Sequence, residues 1–140
     1  MCYNKRRKEV SVLKLNPDCV RDILLSIEES VENDGLTFLT NAHFRDAYPR
    51  LEKYTVTELE YHLRQCNLSG FFVGFESFQI DWRLDDLSPK AHNFLANIRK
   101  DSTWTGVKSI AGKVGSKSLD ALVEIASNVI TELIKAQFGL

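Results

Sequence analysis

A chain of 140 residues and 16.0 kDa is the size of one domain, and 44% hydrophobic with 26% charged residues is the composition of a globular protein. Disorder, collagen and a disulfide mini-scaffold are excluded. The formal charge of -1, from 18 basic and 19 acidic residues, removes any global pull toward nucleic acid or anionic lipid and leaves only local ones.

The first clear element is a helix. Asn16 supplies a side-chain cap, Pro17 suits the first helical position, and Val20, Ile23, Leu24, Ile27 and Val31 recur at helical spacing up to about residues 33–35. Residues 36–40 are apolar and β-prone, and residues 41–48 suit a short helix that Pro49 stops. Thr55 and Glu58 spell a capping box before Val56, Leu59, Leu63 and Cys66, which predicts a second helix to about Asn67 with those four facing the core. Residues 71–75 are continuously apolar, and Phe78, Ile80, Trp82 and Leu84 then alternate with Gln79, Asp81 and Arg83, a hairpin with one buried face.

Ser88-Pro89 repeats the cap-plus-proline signal for a helix presenting Ala91, Phe94, Leu95 and Ile98 and ending near Lys100. Asp101 is the expected cap of a further helix with Trp104, Val107, Ile110 and Ala111, and residues 112–116 read as a hinge. Ser118 then caps a long amphipathic helix. The order helix, strand, short helix, capped helix, hairpin, helices predicts an α+β, mainly α chain: a winged helix-turn-helix core whose hairpin is the wing, with additional C-terminal helices. Its expected parts are a basic extension (1–14), the core (15–87), helices packed on it (88–115) and the amphipathic helix (116–140).

Three stretches carry a family resemblance: Leu15-Asn16-Pro17-Asp18-Cys19-Val20-Arg21-Asp22-Ile23-Leu24-Leu25, Tyr61-His62-Leu63-Arg64-Gln65-Cys66, and a signature after the hairpin, Leu87-Ser88-x-x-Ala91-His92-x-Phe94-Leu95-x-x-Ile98-Arg99-x-Asp101-x-x-Trp104. Over roughly residues 15–112 the chain resembles domain-of-unknown-function family 2513, small bacterial and prophage proteins. The resemblance implies a winged-helix-like fold and a mobile-element setting, and no catalytic residues. Residues 1–14 precede it, and residues 41–54 match poorly.

Charge is segregated: residues 1–14 carry +4, 15–70 carry -5, 71–88 carry -3, 89–118 carry +5 and 119–140 carry -2. With the apolar stripe inward, the capped helix offers Thr57, Tyr61, Arg64 and Gln65 to base edges, while Glu58 and Glu60 oppose a phosphate backbone. Phosphate affinity needs clustered cations, and the candidates are Arg83 and the run Lys5, Arg6, Arg7 and Lys8, with Lys90, Arg99, Lys100, Lys108, Lys113 and Lys117 as a second basic segment. The plainer reading of those cations is a solvated surface.

No enzyme is expected: there is no nucleophile elbow, phosphate loop or zincin motif, and Gly112, Lys113 and Gly115 lack the spacing and preceding strand of a phosphate loop. No metal or cofactor is expected either, because His43, His62 and His92 have no ligand spacing to one another or to Cys2, Cys19 and Cys66. His62 and His92 read as packing residues, the latter with Asp101 or Trp104 as partner, and both tryptophans as core. The cysteine pattern and the polar first residues predict a cytoplasmic protein with no membrane segment.

The last helix carries Leu119, Leu122, Val123, Ala126, Val129, Ile130, Leu133 and Ile134 on one side. Self-association into a homo-oligomer is the leading expectation for this face, with cover inside the chain next. A membrane surface fits poorly, since Asp120, Glu124 and Glu132 outweigh Lys135. The function expected is a non-enzymatic regulatory or DNA-binding protein. Its rival is a protein-interaction module docking a basic partner through Glu58, Glu60, Asp81, Asp85 and Asp86.

Overall fold

A computed structural model describes residues 13–34, 38–40, 45, 48–77, 82–115 and 118–140. Helix α1 (Pro17–Asp34) starts as its sequence requires: the Asp18 N–H donates to Asn16 Oδ1 at 3.0 Å, and Pro17 fills a position that needs no donor. Its apolar stripe, Cys19, Val20, Ile23, Leu24 and Ile27, has no exposed surface. That stripe is the spine of the molecule, because a 3-10 turn (Pro49–Leu51), helix α2 (Val56–Leu68) and helix α3 (Pro89–Ile98) all pack on it.

The Thr55 capping box forms in full, with the Glu58 N–H donating to Thr55 Oγ1 at 3.1 Å and the Thr55 N–H to Glu58 Oε1 at 3.2 Å. It aims Leu59, His62, Leu63 and Cys66 inward. Val56 is a correction: it is 44% exposed, because the first helical residue lies at the open end of the α1–α2 contact and the inward stripe begins one turn later, at Leu59.

The hairpin is two short antiparallel ladders. Strand β2 (Phe72–Val73) pairs with β5 (Asp86–Leu87), and β3 (Glu76–Ser77) with β4 (Trp82–Leu84). Gly74 divides them. It takes a positive φ of 68°, and a Cβ there would collide with the Asp85 carboxylate, so only glycine fits the break. Strand β1 (Phe38–Thr40) adds antiparallel to β4, and the three-stranded sheet has the order β1-β4-β3. The expected inward positions Phe78 and Ile80, and residues 41–44, 46 and 47 of the helix expected over 41–48, lie outside the described residues; Tyr48 is a correction, extended at φ -128° and ψ 111° before the Pro49–Leu51 turn, because a residue that precedes proline is pushed out of the helical region.

Ser88 caps α3, its hydroxyl accepting from the Ala91 N–H at 3.2 Å and donating to the Gly70 carbonyl. Helix α4 (Asp101–Val114) departs from expectation at both ends. Lys100 holds the cap position without a side-chain bond, Asp101 is the first helical residue, and Gly112 continues the helix to a left-handed stop at Gly115. Helix α5 (Leu119–Gln137) is capped by Ser118 and closes at Gly139, with the Leu140 N–H reaching the Lys135 carbonyl at 2.8 Å.

The result is a mainly helical α+β architecture. One continuous core runs from Cys19 in α1 to Ala126 in α5 and takes in both tryptophans. Leu119, Leu122 and Ala126 are therefore buried by their own chain, against α3 and α4. Among the described residues no helix is long and apolar enough to cross a membrane.

Candidate nucleic-acid interface

The outward side of α2 is set by its inward one. With Leu59, His62, Leu63 and Cys66 buried, Thr57, Glu60 and Arg64 are exposed and Tyr61 and Gln65 half-buried, so the four residues expected to read bases share one open face. The Glu58 carboxylate is turned back onto the Thr55 N–H. It belongs to the cap and does not stand out toward a ligand.

His62 fixes the helix beneath that face. Its Nδ1 donates to the Glu58 carbonyl at 2.7 Å and its Nε2 accepts the Asn16 N–H at 2.8 Å, which defines a neutral Nδ1-protonated ring. Burial pushes its pKa below 6.5 against the opposing pull of the Glu58 carbonyl and carboxylate. Tyr61 meets the ring edge-on at 5.0 Å between centroids. His62 is thus a packing residue, as expected.

Behind the face stands an aromatic layer. Phe72 stacks on Phe75 at 5.5 Å, Phe75 meets Trp82 at 5.1 Å, and the Arg64 guanidinium lies 5.5 Å from the centre of the Trp82 ring. Arg83, next along β4, is exposed on the other side of the strand, since neighbours in a strand face opposite ways. Arg64 and Arg83 are the two expected DNA-contacting cations within the described residues; Lys5, Arg6, Arg7 and Lys8 lie outside them.

Much of the second basic segment is engaged with α1. Arg99 makes a bidentate pair with Glu28 at 2.9 and 2.7 Å, and Lys108 reaches Asp18 at 2.9 Å beside the Trp104 indole N–H at 2.8 Å. Lys90 joins the Ser69 carbonyl at 2.8 Å to Asp120 at 3.2 Å. Arg21 closes the α3–α4 corner, donating to the carbonyls of Ile98 and Arg99 and to Asp101 Oδ1. Hydrogen bonding to Arg99 holds Glu28 below the ordinary carboxylate range; at Asp18 burial pushes upward but the bonds from Lys108 and Trp104 prevail. Lys100 and Lys113 remain exposed, and Lys117 lies outside the described residues.

Asp18, Arg21 and Glu28 carry this docking, and sequence reading missed them as a group. Their spacing of i, i+3 and i+10 puts them on one side of α1, but nothing local pairs them with partners some 70 to 90 positions later, cations for Asp18 and Glu28 and acceptors for Arg21. His92 is a correction. It is exposed, with Asp86 Oδ1 3.6 Å from its Nε2, because Asp101 is drawn to Arg21 and Trp104 to Asp18.

The acidic docking set is dispersed by the same geometry. Glu58 serves the cap, Asp86 Oδ1 accepts the Leu87 N–H at 2.6 Å, Asp85 packs at Gly74, and Asp81 lies outside the described residues, which leaves Glu60 exposed. No three His, Cys, Asp or Glu side chains among the described residues are grouped to hold a metal ion. His43 and Cys2 lie outside them.

A family model described as "Hypothetical protein (DUF2513)" matches residues 14–117. No curated protein and no solved structure matches the chain.

Proposed function

We propose that this chain, which belongs to the DUF2513 family, is a non-enzymatic winged helix-turn-helix regulator that binds duplex DNA. The observation that supports the reading is the antiparallel sheet of order β1-β4-β3, in which the strand before α2 lies beside the second strand of the hairpin that follows α2. A first helix, a strand, a capped helix and a hairpin whose second strand returns beside the first strand is the arrangement in which α2 is the reader and β3–β4 the wing. The open face of α2 and the exposed Arg83 suit those roles: Thr57, Tyr61, Arg64 and Gln65 in the groove, Arg83 with Lys5 to Lys8 on phosphates. A prophage or mobile-element setting accords with the family.

The test is fluorescence anisotropy of the full chain with random duplex DNA across a salt series. Binding is expected to weaken steeply with salt, and Arg83→Ala to lower the slope by about one. Absence of binding at low salt would overturn the reading.

The internal pairing of Lys90, Arg99 and Lys108 favours a second reading, a protein-interaction module built on the same scaffold. Glu60 is then the exposed anion on α2. Arg64→Glu should abolish DNA binding and spare such docking, while Glu60→Lys should do the reverse.

A further inference from the structure

We infer that Arg64 is the side chain that selects a guanine in the major groove, and that Trp82 on the hairpin is the residue that positions it. The inference deepens the duplex-DNA reading above and rests on it. Among the described residues Arg21, Arg45, Arg50 and Arg99 each donate to an oxygen of the protein, whereas Arg64 donates to none. Glu60 stands one turn earlier on α2, in the order that favours an i, i+4 ion pair, yet the Arg64 guanidinium lies over the Trp82 ring instead, 5.5 Å from its centre. Its fork of N–H donors is therefore held at the open face without an acceptor. Around the helix axis Arg64 stands nearly opposite the buried Cys66, on the side turned to a groove, with Tyr61 and Gln65 beside it.

Trp82 suits this role because it is fixed from several sides. Strand β4 is the central strand of its sheet, and Trp82 is in register with Thr40 on one side and with Ser77 on the other. Its ring is 7% exposed and meets Phe75 edge-on at 5.1 Å. A free arginine gives up rotamer entropy when it binds, and one laid on a fixed ring has already given up part of it. The planar fork of an arginine matches the O6 and N7 acceptors of guanine together, the commonest base-specific contact in the major groove. The contact also joins the hairpin to α2, so a change on the wing reaches the reading face through one side chain.

Duplexes selected by the full chain from a random pool are expected to share a guanine whose replacement by adenine weakens binding roughly five- to 150-fold. Arg64→Ala should remove the preference at that position and keep the others, whereas a phosphate contact would weaken all sequences alike. Trp82→Leu should remove it too, with helical circular dichroism and low-salt binding to random duplex retained, and Trp82→Phe, which keeps a ring face, should preserve it. Trp82→Leu added to Arg64→Ala should change nothing further at that position. Independently of any variant, the Arg64 Nε–H resonance of the free chain should be shifted by the indole ring current. A chain that binds random duplex and selects no guanine would overturn this inference and leave the DNA reading standing; one that binds no duplex would overturn both. A preference that survives Arg64→Ala or a folded Trp82→Leu, or an unshifted Nε–H resonance, would overturn the inference equally.

Discussion

The Asn16 backbone N–H donates to His62 Nε2 at 2.8 Å, so the cap residue of α1 is held by the buried face of α2. One uncharged ring closes both the start of α1 and a turn of α2, where its Nδ1 meets the Glu58 carbonyl. A charged ring would lose the first bond and gain a buried positive charge.

Stability should therefore fall as the solution is acidified from about pH 6.5 downward. The native His62 pKa is lowered below 6.5, so in that window the unfolded chain binds a proton that the native chain does not, and acid favours unfolding. Glu28 and Asp18, both lowered, add a second loss of the same sign below about pH 4.5. Urea unfolding at a series of pH values checks this. His62→Ala should cost about 1–3 kcal/mol near neutral pH, through the unpaired Asn16 N–H, and should erase the first step while keeping the second.

Trp104 should matter in two separable ways. It fills the core at 3% exposure, and its indole N–H donates to Asp18. Trp104→Phe keeps most of the packing and loses the bond, an expected cost of about 1–2 kcal/mol; Trp104→Ala loses both and should cost about 3–5 kcal/mol. In denaturant unfolding, a negligible cost for Trp104→Phe would mean that the bond contributes nothing, and equal costs for the two variants that the packing contributes nothing beyond it.

Gly74 and Gly115 both have positive φ, yet they should respond differently to alanine. Gly115 faces open space, so Gly115→Ala should cost only the left-handed strain, about 1–2 kcal/mol. Gly74→Ala adds a collision with the Asp85 side chain at the hairpin break, where the Asp85 N–H donates to the Val73 carbonyl at 2.9 Å. It should cost more, and Asp85→Ala in the same chain should return part of the loss. A double-mutant cycle measures that return.

Cys19 and Cys66 should be silent toward thiol reagents in the native protein. Both are fully buried, and burial pushes both thiols far above their ordinary pKa, so almost no thiolate is present at neutral pH. Peptide mass mapping after brief alkylation should find both unmodified in buffer and both labelled in denaturant.

The elements that rest on local chemistry were legible in the residues. Asn16-Pro17, the Thr55–Glu58 box, Ser88-Pro89 and Ser118 each begin a helix where their side chains can accept the first free N–H groups. The inward stripe of α2 from Leu59 onward, and with it the open face of Thr57, Tyr61, Arg64 and Gln65, follows from helical period alone. Val56 and Asp101 were misread because a helix end obeys its tertiary surroundings: the one is left uncovered, the other is taken by Arg21.

Pairing across distance belongs to the packed chain. Counting charges along the residues shows an acidic middle and a basic later segment, but not that Glu28 would neutralise Arg99 or Asp18 hold Lys108 and Trp104. Period likewise gives α5 one apolar side, while the lengths and crossing of α4 and α5 determine that Leu122 is sealed and Leu133 left open. Local spacing records which side chains share a face. The partner that covers the face is chosen by the free energy of the whole packed chain, in which residues 70 to 90 positions apart are neighbours.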